Sequence, residues 1–216
     1  MASRRLQFVL AVFLVSGLTL TNFSARSESN APQQVIEQSY AALLGVMKEA
    51  KTLGYEGRFQ RLAPVVEAVF DLSSMAQTTA GMYWAKASED ERIRFVRAFA
   101  RMTTATLAAR FDGYSGEQFD ILGTDDATPT SVLVKTQIAQ GDGEKIAINY
   151  LVRNSGGAWK VADVYANGSI SELAVKTADY AQVLRSGGVD ALVTALDGKV
   201  ATIADQEKQA EGKKSP

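Results

Sequence analysis

Asp163 is the one acidic side chain set where an acid would be chemically active. It lies between Val161 and Tyr165 in an apolar stretch that opens at Trp159. An aspartate aimed into an apolar enclosure has its carboxyl pKa raised and can abstract a proton, as in some small isomerases. One reading of the chain is therefore a small enzyme with Asp163 as base. The competing reading is structural: the carboxylate is tied to backbone amides or to an arginine at a sheet end, and no second acid or tyrosine stands at a useful spacing. The other chemical candidates carry less. Asp125-Asp126 can attract a cation or cap a solvated loop, Gly141-Asp142-Gly143 is a hairpin turn, and Asn167-Gly168-Ser169 matches a glycosylation acceptor triplet. The chain contains no histidine and no cysteine. That composition excludes His-based triads, thiol nucleophiles, disulfides and zinc held by His or Cys. No phosphate-loop, dinucleotide-binding, nucleophile-elbow, zinc-peptidase or EF-hand pattern occurs, and the reading is of a protein without catalytic residues, metal or cofactor.

The net charge of −1, with both signs interspersed, leaves no electrostatic footprint for nucleic acid. At the N-terminus Arg4 and Arg5 precede an apolar run from Leu6 to Leu20, interrupted only by Gln7, Ser16, Gly17 and Thr19. A run of about 15 residues falls short of the roughly 20 that span a bilayer and suits a signal peptide. Small residues at Ser24, Ala25 and Ser27 place its end within residues 1–27, so export is expected. No cysteine follows the run, which rules out a lipoprotein. Some 185 residues remain, enough for one domain with a sizeable core.

The elements that must position any site follow from periodicity. Val35, Ile36, Tyr40, Leu43, Leu44 and Met47 form one apolar helix stripe, broken at Gly54 and Gly57. Arg58 to Asp71 reads as helix divided by Pro64. Ser88-Glu89-Asp90-Glu91 is a capping box with three acids at the positive end of a helix that runs to about Phe111. The period then changes from 3.6 to 2. Phe119 and Ile121 begin a strand that turns over Asp125 to Pro129. Val132, Val134, Thr136 and Ile138 alternate in a second, Ile146, Ile148, Tyr150 and Val152 in a third, and Trp159, Val161, Asp163 and Tyr165 in a fourth. Helix follows from Ile170 to Leu184 and, after Gly187-Gly188, from Val189 to Ile203; residues 205–216 read as a disordered polar tail. Helices before and after a four-stranded antiparallel meander make an α+β fold, with one domain over residues 28–204.

Trp159-Lys160-Val161-Ala162-Asp163-Val164, followed by Gly168 and a helix start, resembles the segment that closes the sheet in MlaC-type proteins, the toluene-tolerance auxiliary family. Gly81, Trp84, Ser88, Arg92 and Phe95 match the family's earlier block, and the likeness extends over residues 33–203. The segment from Gly168 to Tyr180 is one residue longer than the family's usual spacing, and there the chain is more similar to the hopanoid-associated HpnM-type branch. The resemblance implies a periplasmic lipid carrier serving an ABC transporter system. Its cargo would be phospholipid or a hopanoid-like lipid, and it would dock transiently to inner- and outer-membrane transport complexes.

A carrier of that kind needs an apolar cavity between helices and sheet. A bare 16-carbon chain in water costs on the order of 12 kcal/mol at about 0.8 kcal/mol per methylene. Strand parity then selects Val134, Ile148, Tyr150, Trp159 and Val161 as cavity lining, faced from the long helix by Phe95, Phe99 and Met102. The residues leave two other classes open: a small NTF2-like enzyme using Asp163, and an envelope adaptor with a solid core.

Overall fold

In the computed structural model, which describes residues 24–214, the chain runs α1 (Ser24–Lys48), α2 (Ala50–Val69), α3 (Leu72–Ala80), α4 (Met82–Lys86), α5 (Glu89–Arg110), β1 (Gln118–Thr128), β2 (Ser131–Ala139), β3 (Lys145–Ser155), β4 (Ala158–Ala166), β5 (Ile170–Ser171) and α6 (Glu172–Lys214). The expected signal segment lies almost wholly outside the described residues. Ser29 to Pro32, at the expected start of the domain, are part of α1. Among the described residues no helix is long and apolar enough to cross a membrane.

The helix breaks fall where glycine permits them. Gly54 adopts φ 58° inside α2 and Gly188 φ 67° inside α6, so each helix is two rods joined at a corner that a side chain would strain. Pro64 does not divide α2 as expected. The capping box forms as the sequence implies. The Ser88 hydroxyl accepts from the Glu91 amide at 3.3 Å, and the Glu91 carboxylate accepts from the Ser88 amide at 2.6 Å. That amide also holds the Glu91 carboxyl below its ordinary pKa.

The sheet has five strands in the order β1-β2-β3-β4-β5, not four. β1 continues through Asp125–Thr128, which had been expected as turn. The extra strand arises because Asn167 and Gly168 take left-handed backbone conformations and turn the chain back on itself. Ile170 and Ser171 then pair with Ala166 and Tyr165, and the following helix starts at Glu172 rather than Ile170. β5 and an isolated bridge from Phe70 to Val161 together cover the outer edge of β4.

One face of the sheet carries the core. Ile36, Tyr40, Leu43 and Val46 of α1 are buried, as are Val134, Tyr150, Val152 and Val161 of the strands. α1 lies across β1, β2 and β4, while α6 and the α2–α3 junction meet β4. α5 is a layer further out, on α6, α2 and α3. Arg94 reaches Asp190 and Arg101 reaches Asp197, both at 2.6 Å, which aligns α5 with the second rod of α6.

Residues 205–214 are not a disordered tail: they continue α6. The physical reason is Arg58, only 3% exposed. Its guanidinium donates to the Ala108 carbonyl at 2.8 Å, to Glu207 at 2.8 Å and to Glu211 at 3.3 Å. Glu211 also accepts from the Tyr55 amide at 2.6 Å, an amide that the Gly54 corner leaves without a helical partner. The charged end of the chain thus supplies the anions that a buried cation and a helix start require.

Candidate functional site

The eight residues selected from the sequence do not line one space. Phe95 and Phe99 are buried in the helical layer, with Phe95 ringed by Trp84 at 6.5 Å and Phe99 at 6.2 Å. Met102 is half-buried on the same helix. They face other helices rather than the sheet, because α5 is separated from the strands by the rest of the bundle. Val134, Tyr150 and Val161 are buried between helices and sheet. Ile148 and Trp159 lie towards opposite ends of the sheet, each lining a different cleft.

The cleft at Ile148 opens between the layers. Its volume is about 530 Å³, inside the roughly 300–1,000 Å³ typical of small-molecule sites. The sheet contributes Ile138, Ile146, Ile148 and Ala166 to one wall. Strand register puts all four on the core face: Ile138 pairs with Ile146, and Ile148 with Ala166. Met47 from the end of α1 and Phe111 from the cap of α5 form the opposite wall, with Arg110, Asp112 and Glu117 among the remaining lining residues. Glu117 is held by the Ser115 amide at 2.7 Å.

Behind the cleft stands a chain of aromatic rings. Phe111 lies 6.1 Å from Phe119, Phe119 4.7 Å from Tyr40, and Tyr40 5.9 Å from Tyr150. Tyr40 hydrogen-bonds Thr136, whose hydroxyl also donates to the Ile148 carbonyl. Burial pushes the phenols of Tyr40 and Tyr150 above the ordinary tyrosine range, Tyr150 the further because it is the more deeply desolvated and, secondarily, because Tyr40 stands beside it. Two ordinary polar groups are therefore sequestered in the core next to the apolar wall of a solvent-open cleft.

Two further clefts are built differently. One of about 450 Å³ lies under the β1–β2 turn beside Trp159, Asp126 and Pro129. Another of about 400 Å³ is a groove between α2 and α5 lined by Phe59, Val96 and Arg97. The first sits on a turn, and the second runs along the outer helical layer; the Ile148 cleft leads towards the main helix–sheet interface.

Asp163 is tied to backbone amides and a hydroxyl, the arrangement expected of its structural reading. One carboxylate oxygen accepts from the Val164 amide at 2.7 Å and the Leu173 amide at 3.2 Å, and the other from the Ser171 hydroxyl at 2.6 Å. Ser171 in turn accepts from the Ala174 amide at 3.0 Å, so the pair anchors the start of α6 on β4. A bulge explains the misplacement. Val152 pairs with Val161 but Leu151 pairs with Asp163, so Ala162 is an extra residue and Asp163 leaves the face that Val161 occupies. Among the described residues no group of acidic side chains is arranged to hold a metal ion.

Sequence reasoning missed Met47, Arg110 and Phe111. Ile138 and Ile146 were legible as core-face positions by strand parity, but nothing local in the sequence marks the end of α5 as a cleft wall.

The family model described as MlaC protein matches residues 37–198. No curated protein matches the chain at a significant level. Among solved structures the chain is similar to a phospholipid-binding protein from Ralstonia solanacearum, determined in complex with a phospholipid. The TM-score is 0.70 and the identity 22%, over 80% of this chain and 98% of that one, a likeness of fold.

Proposed function

This chain belongs to the MlaC family, and from that premise we propose that it is a periplasmic lipid carrier. It moves phospholipid or a hopanoid-like lipid between envelope membranes as the soluble part of a transport system, docking transiently to complexes in the inner and outer membranes. The observation that carries the reading is the apolar cleft between the layers, walled by Ile138, Ile146, Ile148, Met47 and Phe111. Acyl chains enter there and the headgroup stays at the mouth. The resemblance in fold to a protein solved with a phospholipid supports the same reading.

A binding protein fits the chemistry better than an enzyme. The Asp163 carboxylate is occupied by three donors and is not among the residues lining the cleft. The HpnM-type segment after Gly168 is the argument for hopanoid-like cargo, and phospholipid is the cargo the fold relative holds.

Native mass spectrometry of the protein purified without detergent, followed by solvent extraction, tests the proposal. A stoichiometric lipid adduct is expected, and its mass separates a phospholipid from a hopanoid. Protein that emerges empty and takes up no lipid from vesicles would remove the carrier reading and favour an adaptor with a solid core.

A further inference from the structure

The groove on the outer helical layer continues past its deepest part. A second hollow of about 310 Å³, lined by Trp84, Glu89, Arg92 and Ile93 among others, joins it at Val96 and Arg97. The α5 side chains along the groove run from Glu89 to Thr104, about 22 Å of helix. None of the groove residues lines the Ile148 cleft.

Glu89, Ile93 and Arg97 stand at four-residue spacing on one stripe of α5 and line the same hollow. Ile93 is an aliphatic side chain left 43% exposed. Neighbouring charges of the helix are committed within the chain. Arg92 donates to the Trp84 and Ala85 carbonyls, Arg94 is paired with Asp190, Arg101 with Asp197, and Glu91 closes the capping box. Glu89 and Arg97 are exposed, and among the described residues neither forms a salt bridge. A first-turn acid suits the helix dipole and needs no partner. The dipole does not account for an exposed isoleucine midway between that acid and a solvated arginine. Opposite charges one turn to either side of an apolar centre make the stripe complementary to itself read backwards.

We propose that this stripe is a contact between two copies of the chain. The α5 helix of the second copy lies antiparallel in the groove, with Ile93 against Ile93 at the two-fold axis and each Glu89 facing the other copy's Arg97. An isologous contact makes each charge pair twice, and Trp84 and Val96 add apolar surface beside the axis. One antiparallel helix pair of about four turns buries less than the roughly 800 Å² per partner of a standard interface. The dimer is therefore weak, with a dissociation constant on the order of 10–100 μM. Arg110, at the cleft mouth, lies about 25 Å along α5 from the axis, so the two Ile148 clefts open at opposite ends of the pair and both stay free. The contact does not depend on the carrier reading.

Sedimentation equilibrium of the detergent-free protein, from micromolar to millimolar concentration, measures the association. Arg97→Glu and Glu89→Arg are each expected to raise the dissociation constant about tenfold or more, because like charges then meet twice. Combining them restores opposite pairs and returns the constant to within about threefold of the parent. A protein that stays monomeric at millimolar concentration overturns the pairing and leaves the groove to a different partner. A dimer that Arg97→Glu does not weaken, or that the double variant fails to restore, overturns it as well, since the contact is then elsewhere. Cross-linking covers the case in which Glu89→Arg disturbs the start of α5. The chain has no cysteine, so Ile93→Cys places a single thiol on the axis, opposite its own copy. Oxidation is expected to join Ile93→Cys into a disulfide dimer about tenfold faster than Val175→Cys, whose parent side chain on α6 is 44% exposed. Equal rates overturn the pairing.

Discussion

Arg58 and Arg110 stand at the same end of α5 and meet opposite conditions. Arg58 enters from α2 and is nearly inaccessible, its donors spent on the Ala108 carbonyl, Glu207 and Glu211. Arg110 lies two residues beyond Ala108 and has solvent on one side and an apolar cleft on the other. The first region is closed: every charge has a partner, and the partners come from a stretch of charged sequence that would otherwise have no reason to be ordered. The second is open, with Arg110 exposed beside the apolar wall of a cleft. A protein optimised only for stability would treat both ends alike. The contrast teaches where the fold is finished and where it waits for something else to complete it.

The sharpest way to break this contrast is to remove the anions of the closed region. Glu207→Gln with Glu211→Gln strands the buried guanidinium, which is expected to lower stability by about 3 kcal/mol, the low end for a broken buried pair because both carboxylates retain some exposure. Arg110→Gln is expected to stay within about 0.5 kcal/mol. Urea unfolding of the two variants measures both. Equal losses would mean that the two arginines are not in different environments.

Alkaline titration probes the filled interior next. Burial pushes the Tyr180 phenol up to about 12. Its folded-state value therefore exceeds the unfolded value of 10.0, so its contribution is complete below pH 10 and is lost as pH rises towards 12. A shift of that size corresponds to about 2–3 kcal/mol. Tyr40 and Tyr150, raised likewise, add to the loss in the same direction. Lys176 works oppositely. Its depressed value means that its burial penalty is relieved as pH climbs to 10.5, above which the tyrosines act alone. Stability followed by urea unfolding from pH 9 to 12 should fall steeply above pH 10.5, and less steeply for Tyr180→Phe. A curve unchanged by that substitution would show that the phenol is not sequestered.

How much of this was legible depends on how local the cause is. The Ser88 box was readable because all its partners lie within four residues. β2 and β3 pair without interruption between Ser131 and Ala139, so parity alone put Val134, Ile148 and Tyr150 on the core face. β4 defeated parity because the bulge at Ala162 turns Asp163 away, and an alanine in a strand announces nothing. The apolar stripe of α5 was visible, yet a stripe does not name its partner. Phe95 and Phe99 proved to face helices. The order of residues 205–214 depends on Arg58, about 150 positions away in sequence, and a charged stretch read by itself has only water to satisfy it. The cleft is the least legible feature, since it exists only where the ends of α1, α5 and three strands converge.

The smallest expected stability change discriminates most finely, because it compares two positions on one face of one sheet. Val134 and Ile148 both point towards the helices; Tyr150, the register partner of Val134, is two residues from Ile148 along β3, and Thr136, the partner of Ile148, is two residues from Val134 along β2. Val134 has no accessible surface, whereas Ile148 borders the cleft. Enlarging each to phenylalanine adds volume of the same kind. At Val134 the addition has nowhere to go and is expected to cost about 1–3 kcal/mol by overpacking. At Ile148 the ring can occupy empty space, so stability should change by no more than about 0.5 kcal/mol while bound lipid falls. Denaturant midpoints and adduct intensities from the same preparations decide it. If Ile148→Phe destabilises as much as Val134→Phe, the cleft is already filled in solution. If it leaves both stability and lipid content untouched, the acyl chains enter elsewhere, and the ~450 Å³ space beside Trp159 becomes the place to look.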